Sequence, residues 1–184
     1  IIAIQKGNRS LDVINRIQGI ELNALYRGNG NRRRARATAA LAIRKLEVGL
    51  PDEAGSIATR SASYVALSES ELKRFVDAGT VTEHGRELAE AVVTTHRDYV
   101  AKGISPLMDA LKRENVDDYY TVLEGDLSHL AGKFSSAVDA FGQYADEVSE
   151  QQMAQAAHNQ LLMTVLILVS GALTLLLVAL AWMI

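Results

Sequence analysis

The sequence has no cysteine among its 184 residues, which removes disulfides, thiol catalysis and Cys-ligated zinc together. Proline occurs only as Pro51 and Pro106, so long helices meet few obligatory breaks. Aromatic residues make up 5% and the formal net charge is −3, too few stacking rings and too little basic charge for a nucleic-acid partner. There is no Gly-rich phosphate loop and no G-x-S-x-G. His84, His96, His129 and His158 are widely spaced, without the His-Glu or His-x-x-x-His pairing of a metal site, and each reads as an ordinary surface or half-buried residue. The carboxylates Asp117 and Asp118 fall at a helix start, where the helix dipole accounts for them. No catalytic, metal or cofactor site emerges, and the chain is not expected to be an enzyme.

What is present begins with the C-terminal stretch Leu161 to Ile184, which carries no charged residue. At about 1.5 Å per residue it is long enough to cross the ~30 Å hydrocarbon core of a bilayer. Thr164, Ser170, Gly171 and Thr174 are types a spanning helix tolerates, and Trp182 lies where an interfacial aromatic belongs. The chain starts Ile1-Ile2-Ala3-Ile4 without methionine, so residues 1–10 are expected to be the end of a first span. A soluble domain is expected at 11–159 and a transmembrane helix at 160–184.

Between these ends, apolar residues recur at three- and four-residue steps. The first segment, Leu11 to Gly49, has Val13, Ile14, Ile17, Ile20 and Leu25 on its stripe, with Arg16, Glu21 and Asn23 outside it. Gly28-Asn29-Gly30-Asn31 predicts a break or a strained passage, because each mid-helix glycine costs about 1 kcal/mol relative to alanine. Gly49 followed by Pro51 predicts the stop. The second segment, Asp52 to Asp77, places Ile57, Ser61, Tyr64, Leu67, Leu72 and Phe75 on or beside one face. Thr82 is the expected cap of the third, whose stripe is Leu88, Val92, Thr95 and Tyr99. Gly103 to Pro106 predicts a kink with Ser105 as a local cap. Asn115 caps the fourth, answered by Asp118, and Tyr120, Leu123, Leu127, Leu130, Phe134, Ala137, Phe141, Tyr144 and Val148 form one heptad seam. The expected fold is all-α, an antiparallel up-down-up-down four-helix bundle with a C-terminal transmembrane helix.

The one chemical feature is Arg32-Arg33-Arg34-Ala35-Arg36. At about 100° per residue Arg32 and Arg36 lie one above the other, Arg33 flanks them and Arg34 points away. Three guanidinium groups on one face make a receptive site for a carboxylate. A solvated basic face answered by acids on a neighbouring helix fits the same residues.

A four-helix domain running into a span that ends Val178-Ala179-Leu180-Ala181-Trp182-Met183-Ile184 resembles the periplasmic sensor and second transmembrane helix of bacterial methyl-accepting chemotaxis proteins of the aspartate and serine receptor type. Arg34 to Ala42 resembles the first-helix motif in which an arginine grips the ligand's carboxylate, and Arg36 falls on that arginine. Leu41 and Lys45 stand near two further arginine positions of the family. Gly103 to Leu111 and Tyr144 to Val148 also resemble tracts of related sensors. The resemblance implies a homodimer in the bacterial inner membrane with its sensor in the periplasm. It also implies a small anionic ligand, an organic acid or amino acid, and a cytoplasmic kinase or adaptor engaged through a region after Ile184. On that footing Arg36 is the expected ligand contact, Arg32 and Arg33 its helpers, and Tyr120 or Thr121 hydroxyl partners. The same bundle on a histidine kinase or a cyclic-dinucleotide enzyme, and a ligand-free structural coiled-coil membrane protein, remain open from the residues.

Overall fold

The computed structural model describes residues 12–80 and 82–183, apart from the side chains of residues 173 and 175–183. The expected segment 1–10 and the Trp182 side chain lie outside these. The described residues are helical apart from short turns, with no strand among them. A π-helical turn, Asn15–Leu22, leads into α1, Asn23–Glu47; α2 is Pro51–Ala78 and α3 is Glu83–Tyr99. A second π-helical turn, Val100–Ile104, joins α3 to α4, Ser105–Lys112; α5 is Val116–Glu124 and α6 is Leu127–Met183. Residues 16–146 form one compact unit, the bundle, in which α3 with α4 makes the third limb and α5 with the start of α6 the fourth.

The helix ends follow from local chemistry. Gly49 adopts φ 76° after α1, a left-handed conformation that glycine accepts without a Cβ penalty, and Leu50 N–H closes the turn on the Lys45 carbonyl at 2.9 Å. Pro51 then opens α2, where its missing N–H costs nothing. Thr82 Oγ1 accepts from Gly85 N–H at 3.0 Å, and Asn115 Oδ1 accepts from Asp118 N–H at 2.9 Å, the caps the sequence predicts. The Asp118 carboxylate turns instead to Arg113, 2.9 Å away.

Four expectations are corrected. The chain does not break at Gly28 to Asn31; α1 runs through them. Its buried face there, Ala24, Leu25, Gly28 and Arg32, packs in the bundle, and Ser68 on α2 donates to the Gly28 carbonyl at 2.9 Å, so burial outweighs the poor glycine propensity. Ser61 donates likewise to the Ala35 carbonyl at 2.7 Å, and these hydroxyls zip α1 to α2. At Gly103 to Pro106 there is no cap by Ser105. The π-helical turn inserts an extra residue, which frees the carbonyl that proline cannot pair and lets α4 proceed. In the fourth limb, Gly125 at ψ −130° separates α5 from α6, so the seam from Tyr120 is not continuous. Rephasing buries Tyr119 rather than Tyr120, and Val138 more deeply than Ala137.

The fourth correction lies in the first π-helical turn. Its wider i to i+5 spacing brings Ile17 and Leu22 to the same buried side and rotates Glu21 inward, while Ile20 is 43% exposed. Glu21 is fully buried, both carboxylate oxygens lack a hydrogen-bond partner among the described residues, and the Arg16 guanidinium is 3.8 Å away. The stripe of α2 likewise runs Ala54, Ile57, Ser61, Ser68, Glu71, Phe75, and leaves Leu67 exposed. The core is closed by Ile43 of α1, Ile57 of α2, Tyr99, Leu107 and Leu111 of the third limb, and Tyr119, Leu127 and Leu130 of the fourth.

Helix α6 contains a stretch long and apolar enough to cross a membrane, and its described side chains from Leu161 to Ala172 are exposed.

Candidate functional site

Arg32 is the polar centre of the bundle. It projects from the buried face of α1 and is 7% exposed. Asn29, one turn earlier on the same helix, accepts from Nε at 3.1 Å and from one terminal nitrogen at 2.6 Å, and that nitrogen also donates to Ser135 Oγ of α6 at 3.4 Å. The guanidinium carbon lies 4.8 Å from the ring centres of both Tyr99 and Phe134, which are themselves stacked at 6.5 Å. Ring faces and an amide oxygen thus replace water around a cation that no carboxylate pairs with among the described residues. Burial lowers the Arg32 pKa from its ordinary value and Tyr99 opposes the shift. Burial raises the Tyr99 pKa against the pull of Arg32 and Arg36. The Tyr99 hydroxyl is itself buried, beside Arg32 but without a hydrogen bond of good geometry. His96 is buried at the edge of this layer, edge-on to Phe134 at 5.3 Å, and burial followed by the nearby Arg32 charge lowers its pKa to about 4. It is therefore neutral near pH 7, and the surface or half-buried role expected for it is corrected.

Arg32, half-buried Arg36 and exposed Arg33 line one cleft of about 250 Å³, closed by Tyr99 of α3 and by Ala131, Gly132 and Ser135 of α6. Arg34 is exposed and does not line it. Among the described residues no carboxylate lines the cleft or forms an ion pair with Arg32, Arg33 or Arg36. Ala131 and Gly132 keep the α6 wall low; a Cβ added at Gly132 would meet no heavy atom within 4 Å.

The two expected hydroxyl partners are elsewhere. Tyr120 donates to Glu47 Oε1 at 2.8 Å and ties α5 to the end of α1. Thr121 donates to its own helix at the Asp117 carbonyl, and lines a broader cleft of about 670 Å³ with Pro106, Asp109, Lys112 and Arg113. There every cation is answered, Lys112 by Asp109 at 3.2 Å and Arg113 by Asp118 at 2.9 Å. The hydroxyls beside the arginines are those of Tyr99 and Ser135. Tyr99 was legible as a core position of the third stripe, but nothing in that pattern tied it to the arginines, and Ser135 stood on no stripe that the sequence marked. Asn29, three residues before Arg32, carried a readable signal of an i,i+3 pair. Among the described residues no three His, Asp or Glu side chains gather as a metal site.

No protein-family model matches the chain, and no curated protein matches it in sequence. Among solved structures, the chain is similar to the N-terminal ligand-binding domain of a protein assigned as a methyl-accepting chemotaxis protein from Salmonella enterica, at a TM-score of 0.61 and 14% identity, over 76% of this chain and 98% of that one. At that identity the likeness is one of fold.

Proposed function

We propose that the chain is the sensing portion of a transmembrane chemoreceptor, and that a small anion binds in the cleft of Arg32, Arg33 and Arg36. One observation carries this reading: three guanidinium groups share a cleft that offers no carboxylate, so the acids a merely solvated basic face would need are absent from it among the described residues. The shared fold with a chemoreceptor ligand-binding domain supports the assignment of class. In this reading the sensor bundle lies in the periplasm and the apolar stretch of α6 crosses the inner membrane. An anion held between α1 and α6 then biases the one long helix that leads into the membrane. Two bundles associate through their first helices, where Leu41 and, at the C-cap a heptad on, Val48 are 47% and 68% exposed. The output is control of a cytoplasmic kinase through the region after Ile184.

Calorimetry of the full chain in detergent, with a panel of small anions, tests the reading. Truncating a charge-assisted partner at a desolvated site costs about 2 to 5 kcal/mol, so Arg36→Ala is expected to weaken binding by more than about tenfold with little change in melting temperature. Equal affinity in parent and variant would return the cluster to a solvated face.

A further inference from the structure

We propose that the anion held in this cleft carries at least two negative charges and no ammonium group: a multivalent oxyanion such as a dicarboxylate, not an α-amino acid. The inference rests on the anion-sensing reading above and deepens it. Arg32, Arg33 and Arg36 crowd together without a protein counter-charge, and Arg33 and Arg36 both disfavour the charged form of Arg32. A monoanion leaves most of that repulsion standing, whereas each further negative charge relieves it.

An amino acid would bring an ammonium group into the same space. It needs acceptors, and the lining supplies no carboxylate and no side-chain amide. The main-chain carbonyls of α1 and α6 belong to their helices, Ser135 Oγ already accepts one bond from Arg32, and any acceptor in the cleft lies beside three guanidinium charges that repel an ammonium. What the site has to spare is mainly donors: the guanidinium N–H groups of Arg33 and Arg36, and the O–H of Tyr99, whose buried hydroxyl has no hydrogen bond of good geometry among the described residues. Donors in excess of acceptors call for a ligand rich in oxygen and free of N–H groups. The cleft of about 250 Å³ lies below the usual range for drug-sized ligands, which suits a molecule of a few carbons or an inorganic oxyanion.

Succinate and L-aspartate differ by one ammonium group, so they isolate the claim. Calorimetry on the full chain in detergent at pH 7 compares these two with citrate and inorganic phosphate. Succinate, citrate or phosphate is expected to bind at least tenfold more tightly than L-aspartate. Which of them leads separates the organic source from the inorganic one, and either result supports the proposal. Aspartate binding as tightly as succinate and the other oxyanions overturns the inference and leaves the sensing reading intact. Failure of all four to bind overturns that reading as well. Gly132 lines the cleft and an added Cβ there meets no heavy atom within 4 Å, so Gly132→Leu is expected to crowd the cleft, with melting temperature held and affinity down at least tenfold. Undiminished binding by this folded variant places the anion outside the cleft and overturns the proposal.

Discussion

Arg32 and Glu21 are both charged side chains buried on the first limb of the bundle, about three helical turns apart. Around Arg32 the protein has built a substitute for water from Asn29, Ser135 and the faces of Tyr99 and Phe134. Around Glu21 it has built none: neither oxygen has a hydrogen-bond partner among the described residues, and Arg16, whose guanidinium also donates to the Ala78 carbonyl, stands 3.8 Å off. Burial therefore raises the Glu21 pKa to about 7, with Arg16 only partly offsetting it. Arg32 cannot shed its proton near neutral pH and must be solvated by the fold, whereas a carboxyl group can become neutral. The difference separates a charge that is held from a charge that is avoided.

Breaking the held charge should have the largest effect. Arg32→Met preserves much of the volume between the rings and removes a buried cation, so stability should stay level or rise, because apolar replacement of buried ions is often neutral or stabilising. Anion binding should nevertheless fall by about thirtyfold or more, since a charge-assisted partner is worth about 2 to 5 kcal/mol. Thermal unfolding and calorimetry on one preparation read both quantities. Equal losses of stability and affinity would mean that Arg32 serves the core alone.

The avoided charge is exposed by pH. Between about pH 4.5 and 7 the folded chain keeps the Glu21 proton that the unfolded chain has released, so the folded state binds more protons and its stability falls as pH rises through that window. Glu21→Gln should remove this slope and raise stability at pH 8 by up to about 3 kcal/mol, with little change near pH 4.5. Melting curves of the two proteins that stay parallel from pH 5 to 8 would contradict it.

His96 sharpens the comparison from the opposite side. Its folded pKa of about 4 lies below the ordinary 6.5, so its contribution is complete above pH 6.5 and is lost as pH falls towards 4. His96→Gln should reduce the loss of stability between pH 7 and pH 5 by about 2 kcal/mol, seen in the same melting series. The smallest effect belongs to Gly28, between the two charged positions on the first limb. An added Cβ there meets Glu71 Cβ and the Ser68 carbonyl at 3.5 Å, ordinary contact, so Gly28→Ala should change stability by less than about 1 kcal/mol. A larger loss would show that α1 and α2 approach too closely for a methyl group.

The long segments, their caps at Thr82 and Asn115, the stop at Gly49 and the alignment of Arg32, Arg33 and Arg36 were legible in the sequence. Each depends on chemistry within a few residues, and helical periodicity carries it across a turn. The uncharged run after Leu161 was legible for the same reason. Tertiary structure alone decided the rest. A π-helical turn changes the residues per turn, so the first of the two carried Glu21 from the solvent side to the core and the second let the chain pass Pro106 without a local cap. The break at Gly125 rephased the fourth limb, burying Tyr119 and sending Tyr120 to Glu47. The cleft itself depends on Tyr99 and Ser135, 67 and 103 residues from Arg32, and local spacing contains no term for contacts at such separations.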